Sequence, residues 1–221
     1  FEIDSVFVCK ELLRDKFDND TLLKRLKENN VEIIDVTKDV YLKISDYESP
    51  EGLIAVAPQK HLDLKNHQPT KDVLYLVAES VEKLSSLGTL FRLADNAGVD
   101  GVILCDSQAD MFNPHVIRTS LGTFFSVNIF EKGTKEAIEW FRENNIQTIA
   151  TSPGATTPYT NIDYTQSSAI VIGTEHGGLS DTWLKDADQS VLIPMFGQAE
   201  SLSVATSTAI MLYEAVRQRN Q

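Results

Sequence analysis

The spacing of apolar residues changes character near residue 72. Before that point the apolar stretches are short and of mixed period. Ser5 to Cys9 alternates weakly and predicts a strand, and Asp20 to Asn29 predicts a helix with Leu22, Leu23 and Leu26 on one face. Val31 to Val36 predicts a second strand and Asp39 to Ile44 a short helix. The turn residues Ser49-Pro50-Glu51-Gly52 then lead into a third strand, Leu53 to Ala57. Residues 1–58 therefore read as a small αβ unit. Residues 59–71, with His, Lys, Asn, Gln and Pro69, read as a linker.

From Asp72 onward, strands alternate with helices. Strands are predicted at Val73–Ala78, Gly101–Cys105, Ser126–Phe130, Gln147–Ser152, Ala169–Gly173 and Ser190–Pro194. Several are apolar throughout rather than alternating, the pattern of strands covered on both faces. Helices are predicted at Ser86–Ala97, Pro114–Leu121, Thr134–Asn144, Asp181–Lys185 and Ser203–Arg217. This order specifies an α/β fold, a mostly parallel sheet with helices on both faces, over residues 72–221.

Composition narrows the picture further. The 221 residues are 42% hydrophobic, enough to build a core, and contain no apolar run of membrane-spanning length. The opening Phe1-Glu2-Ile3-Asp4 has neither the basic nor the apolar region of a signal peptide, and a start inside a strand reads as a truncated first domain. Cys9 and Cys105 both lie in apolar segments. That predicts the reduced thiols of a cytoplasmic protein, although a disulfide between them stays open. His61, His67, His115 and His176 form no metal-ligand spacing with the cysteines, so no metal is expected. The net charge of −12 weighs against nucleic-acid binding by bulk electrostatics. An RNA partner would require a local basic patch, a groove between two subunits, or a further N-terminal piece.

Three segments carry candidate chemistry. In Gly88-Thr-Leu-Phe-Arg92-Leu-Ala-Asp-Asn-Ala-Gly98, Arg92 sits one helical turn beyond Gly88; a solvated arginine on a surface helix would give the same spacing. In Ile170-Val-Ile-Gly173-Thr-Glu175-His-Gly177-Gly178-Leu179-Ser180-Asp181, a buried strand ends in a glycine-rich loop before a Ser/Asp helix cap. Its glycines permit close backbone approach to a ligand, but their spacing is not the dinucleotide fingerprint. In Ile193-Pro-Met195-Phe-Gly197-Gln-Ala-Glu200-Ser201-Leu202-Ser203-Val204-Ala205-Thr206-Ser207, the following helix opens with small residues that suit close packing of backbone, ligand or a second subunit. Ile210, Leu212 and Val216 could equally form an ordinary core face of that helix.

Taken in order, the three segments resemble the three motifs of the SpoU/TrmH branch of the SPOUT RNA methyltransferases. The stretch Asn113-Pro114-His115-Val116-Ile117-Arg118-Thr119-Ser120-Leu121-Gly122 is similar to what lies between that family's first two motifs. The resemblance covers residues 72–218. Residues 1–58 resemble the later part of the family's L30e-like (ribosomal-protein-L30-like) substrate-binding domain.

The resemblance implies a C-terminal trefoil knot and a homodimer with a shared site. It also implies S-adenosyl-L-methionine (S-adenosylmethionine) as cofactor, bound by loops matching Thr151–Gly154, Ile172–Gly177 and Ile193–Leu202. The residues implied at the cofactor are Thr151, Ser152, Ile172, Gly173, Gly177, Ile193, Met195, Ser201, Leu202 and Ala205. The implied activity is transfer of a methyl group to a ribose 2′-hydroxyl of rRNA or tRNA, in the cytoplasm and without a membrane or a metal. Of five polar positions that matter in the family, Arg92, Glu175 and Ser201 match its Arg, Glu and Ser. The other two, Asn in the family, are here Ser86 and Ser203. Serine offers only a hydroxyl close to the backbone where asparagine offers a longer amide. That departure keeps open a catalytically weakened or inactive SPOUT-fold protein that binds RNA or assists assembly. A base-methylating relative is disfavoured by Ser201-Leu202-Ser203, and a Rossmann-type enzyme by the glycine spacing.

Overall fold

The computed structural model describes residues 2–14, 19–47, 49–174, 177–199 and 201–220. The chain divides into two compact units, Phe1–Lys60 and His61–Gln221.

The first unit runs β1 (Ser5–Val8), α1 (Asn19–Glu28), β2 (Glu32–Asp35), α2 (Lys38–Ile44) and β3 (Leu53–Val56). Its sheet has the order β2-β1-β3, with β1 parallel to β2 and antiparallel to β3. The Thr37 hydroxyl caps α2 by accepting from the Val40 amide. Tyr41 then buries its ring and donates to the Leu53 carbonyl at 3.1 Å.

The second unit runs β4 (Leu74–Glu79), α3 (Leu84–Ala97), β5 (Gly101–Cys105), α4 (Pro114–Thr119), β6 (Ile129–Lys132) and α5 (Thr134–Glu143). It continues through β7 (Gln147–Thr151), β8 (Thr157–Pro158), β9 (Ser168–Ile172), α6 (Asp181–Asp186), β10 (Gln189–Leu192) and α7 (Val204–Arg219). The sheet order is β6-β5-β4-β9-β7-β10-β8, and every neighbouring pair is parallel. The uninterrupted apolar runs now have their explanation. Leu74, Leu76 and Ala78 of β4 pack with Leu87, Leu90 and Phe91 of α3 and Met211, Leu212 and Ala215 of α7. Tyr75 and Val77 pack on the other face with Ala137, Ile138 and Phe141 of α5 and Trp183 of α6. Both faces of the central strand are dry, so alternation has no polar side to mark.

Three segments depart from the expected boundaries. Ser126 and Val127 are not strand: Thr123–Phe125 is a 3-10 turn, the Val127 amide donates to Thr123 and the Ser126 hydroxyl donates to Asp95 at 2.6 Å, so β6 starts only at Ile129. The two-residue β8 lies in a stretch too polar and too short to signal a strand. Residues 61–71, expected as linker, belong to the second unit: Leu64 is buried in the core beneath α5, and Leu62 bridges to Phe130.

The end of α7 is fastened to the sheet by side chains. The Arg219 guanidinium donates to four backbone carbonyls, those of Asp72, Val73 (2.9 Å), Tyr164 (2.8 Å) and Gln166 (2.8 Å). Next to it, the Gln218 side chain accepts from the Tyr164 amide and donates to the Ile162 carbonyl, both at 3.0 Å. Arg219 thus ties the helix end to the segment entering β4 and to the segment entering β9. Charge-assisted bonds of this kind contribute on the order of 1.5–3 kcal/mol each before the loss of side-chain entropy is subtracted. Arg219→Ala is expected to lower the stability of the second unit by about 2–3 kcal/mol. Urea denaturation followed by tryptophan fluorescence measures this, since Trp140 and Trp183 both lie in that unit's core; an unchanged midpoint would show that the clamp is redundant.

Candidate functional site

Three adjacent strands end on one edge of the sheet. In β9, β7 and β10, Ala150 pairs with Val171 and Val191 pairs with Thr151. The Thr151 hydroxyl donates to the Val171 carbonyl at 2.7 Å, and the Ser152 amide donates to the Val191 carbonyl at 2.9 Å. These bonds bring Thr151, Ser152, Ile172, Gly173 and Ile193 to neighbouring positions, although they come from three separate parts of the chain. Parallel α/β sheets place ligands beyond the carboxyl ends of their strands, where the chain order switches direction. Here the switch falls between β4, followed outward by β5 and β6, and β9, flanked by β7.

The loop after β9 folds tightly on itself. Thr174 and Gly178 exchange backbone hydrogen bonds of 3.0 and 3.1 Å, and the Gly177 amide donates to the Thr174 hydroxyl at 2.9 Å. Gly173 is required for this closure: a β-carbon there would fall 2.1 Å from the Gly178 carbonyl oxygen and 2.5 Å from the Leu179 amide nitrogen. Glu175, expected beside the substrate, lies with His176 outside the described residues.

The loop after β10 stays open. Among the described residues, 194–199 make no backbone–backbone hydrogen bond, so their carbonyls and, from Met195 on, their amides are open to a polar ligand. Ile193 and Leu202 are half-buried, Met195 and Ser201 are exposed, and Phe196 is 98% exposed. Ser203 proves to be the N-cap of α7: its hydroxyl accepts from the Thr206 amide at 3.1 Å and lies 2.8 Å from the Thr206 hydroxyl. Ala205 follows, half-buried, in the first turn. The small residues of this helix serve its packing against α3, where Thr208 is wholly buried and spends its hydroxyl on the Val204 carbonyl.

Helix α3 starts just past the carboxyl end of β4, the neighbour of β9. Gly88 marks where α4 crosses it: a β-carbon would meet the Thr119 hydroxyl at 2.1 Å and the Val116 carbonyl at 2.7 Å. Its role is therefore helix–helix contact. Ser86 is half-buried near the start of α3. Arg92, one turn past Gly88, is exposed and makes no ion pair or hydrogen bond among the described residues. Its guanidinium is thus available to an external anion.

One buried acid at this edge was not singled out from the sequence. Glu79, the last residue of β4, is 3% exposed. It accepts from the Ser180 amide (2.7 Å), the Ser180 hydroxyl (2.7 Å) and the Thr134 hydroxyl (2.8 Å). An acidic residue directly after five apolar ones, at the end of a strand with two dry faces, was the available signal. Beside it, burial first and the Glu79 charge second push the Cys105 thiol well above its usual range, which keeps it protonated and unreactive. Cys9 and Cys105 are both free thiols.

A doubly wound parallel domain with unspent backbone after β10 and, among the described residues, an unpaired guanidinium on α3 suits a nucleotide-like ligand and an anionic partner. The family comparison is more specific: the model of the SpoU rRNA Methylase family matches residues 73–213, and the chain belongs to that family. It is 27% identical over 206 residues to the 23S rRNA (guanosine(2553)-2′-O)-methyltransferase of Bacillus subtilis, covering 93% of this chain and 80% of the relative. It is 30% identical over 203 residues to the 23S rRNA (uridine(2479)-2′-O)-methyltransferase of Streptomyces viridochromogenes, covering 88% and 70%. The crystal structure of the SpoU methyltransferase AviRb from Streptomyces viridochromogenes in complex with AdoMet superposes with a TM-score of 0.87 at 27% identity, over 99% of this chain and 84% of that one.

Proposed function

We infer that this protein is an S-adenosylmethionine-dependent RNA methyltransferase that modifies a ribose 2′-hydroxyl of rRNA or tRNA. The observation that carries the reading is the convergence of the three strand-end loops on one sheet edge, next to the helix that presents Arg92. The residues present fit a purine nucleoside. Ile193, Leu202 and Ala205 offer apolar surface, and residues 194–199 offer unspent backbone donors and acceptors. Thr151, Ser152, Ile172, Gly173, Gly177, Met195 and Ser201 complete the proposed border. When bound, S-adenosylmethionine supplies a methyl group attached to a sulfonium, a leaving group that is already activated.

The chain's own task is then alignment and proton handling. Arg92 grips the phosphate of the target nucleotide and orients its ribose hydroxyl; guanidinium resists deprotonation, so the proton passes to phosphate or water. Glu175 positions the loop or the substrate, and Ser201 the substrate or the donor. Ser86 and Ser203 stand at the two remaining polar positions. Because Ser203 spends its hydroxyl on the α7 cap, it acts on the site mainly by fixing where α7 begins.

The same reading includes a C-terminal trefoil knot, an L30e-like fold for residues 1–58, a cytoplasmic location and a homodimer. The dimer is supported by exposed apolar side chains, Leu121 at 73%, Phe125 at 54% and Tyr213 at 50%, which a second copy would cover. Among the described residues no helix is long and apolar enough to cross a membrane. The decisive experiment maps ribose methylation across total RNA from cells with and without the gene. One 2′-O-methyl nucleotide is expected to disappear and to return with the wild-type gene. An unchanged map would favour the non-catalytic RNA-binding protein.

A further inference from the structure

We propose that Glu79 is a positioning residue for the donor site, tethering the β9–α6 loop to the end of β4. The inference rests on the functional reading above. It starts from an imbalance at the sheet edge. The glycine-rich loop is stitched to itself by the Thr174–Gly178 pair, but such a pair fixes only the loop's internal shape, not its place on the domain. Placement requires a bond to a neighbouring element. Ser180, which ends the loop and caps α6, supplies it by donating both its amide and its hydroxyl to the Glu79 carboxylate, each at 2.7 Å. The hydroxyl also accepts from the Trp183 amide at 3.4 Å, so the tether and the helix cap share one atom.

Glu79 is suited to this task for three reasons. It is the last residue of β4, held by strand pairing to Cys105 on the β5 side, with its neighbour Ala78 paired to Ile172 on the β9 side. It is almost wholly buried, where a charged acceptor binds its donors strongly and gains least from exchanging them for water. Its third donor, the Thr134 hydroxyl at 2.8 Å, comes from the first turn of α5, so the carboxylate has a second fixed anchor when the loop moves. The chain leaving Glu79 reaches α3, which bears Ser86 and Arg92, after the four-residue connection 80–83. One carboxylate therefore sets the distance between the segment that presents the guanidinium and the loop that borders the donor. Its effect falls on donor affinity, through the loop, and it touches no reacting atom.

The test uses the full chain and isothermal titration with S-adenosylmethionine, which separates dissociation constant from the fraction of competent protein. Glu79→Gln and Ser180→Ala are each expected to weaken donor binding about tenfold with stoichiometry unchanged, and to raise the KM for donor while kcat falls less than about threefold. Ser180→Thr keeps the hydroxyl and is expected to bind within about twofold of wild type. A purely structural role would lower stoichiometry and melting temperature but leave the dissociation constant of the folded fraction unchanged, which overturns the proposal. Should Glu79→Gln fail to fold, the Ser180 pair still decides: equal affinities for Ser180→Ala and Ser180→Thr also overturn it. Failure of the functional reading looks different, because then the wild-type protein binds no donor at all.

Discussion

Gly173→Ala is expected to weaken S-adenosylmethionine binding at least about a hundredfold while most of the sheet stays folded. The added methyl has no free space: the atoms nearest its ideal position, at 2.1 to 2.5 Å, are all backbone of Gly178 and Leu179. Backbone cannot rotate aside as a side chain can, so the loop must open by an ångström or more. Opening breaks the paired Thr174–Gly178 bonds and shifts Gly177, whose amide depends on the Thr174 hydroxyl. Ile172, one residue earlier, is held by its place in β9 beside β4, which confines the damage to the loop. Calorimetric titration paired with a thermal melt measures both halves of this expectation. Donor affinity within about threefold of wild type would remove this loop from the site.

Arg92→Lys is expected to reduce turnover about a hundredfold or more while RNA affinity changes no more than about threefold. Lysine keeps the positive charge and so most of the long-range attraction to phosphate. It loses the planar fork that grips two oxygens at once and fixes the attached ribose. Misalignment of that order costs rate rather than binding. The position is exposed and unpaired among the described residues, so the substitution leaves the packing of α3 intact; Leu87, Leu90, Phe91 and Ala94 bury the opposite face. Single-turnover methylation of the mapped RNA, alongside fluorescence anisotropy with the same RNA, provides the two numbers. Wild-type turnover in Arg92→Lys would reduce Arg92 to a contributor of charge alone.

The architecture was legible because burial on both faces leaves a plain trace. Runs such as Val73–Ala78 and Gly101–Cys105 contain no polar residue, and the strands and helices they predict recur in the structure within a few residues. Legibility failed where hydrogen bonds rather than apolar spacing decide the conformation. Ser126 and Val127 have the composition of a strand start, yet the preceding turn and Asp95 take their polar groups. The β8 pair adds to the sheet only because β10 is already there to receive it. Leu62 and Leu64 are two apolar residues among polar ones, and their burial depends on a surface built by β6 and α5, distant in sequence.

The candidate site was legible only as a set of loops. Motif order pointed to three loops, and the structure places the strands they follow, β7, β9 and β10, side by side. What the sequence did not reveal was the division of labour among look-alike residues. Gly88 and Gly173 both sit in motifs, but one receives a helix and the other closes a loop. Ser203 reads as a reactive position and serves a helix cap. Glu79 drew no notice because strand pattern alone cannot tell a terminal solvated acid from a buried one holding three donors.

The four-carbonyl grip of Arg219 also bears on how the protein is made. Its contacts with residues 72 and 73 join positions 147 and 146 apart in the chain, so β4 emerges from the ribosome long before its fastening exists. Until α7 is released, the dry face of the sheet lacks the part of its cover that Met211, Leu212 and Ala215 supply, and the nascent second unit carries exposed apolar surface. Completion is therefore expected to be slow, as contacts of high sequence separation dictate. During that interval the emerging polypeptide has most need of chaperone protection.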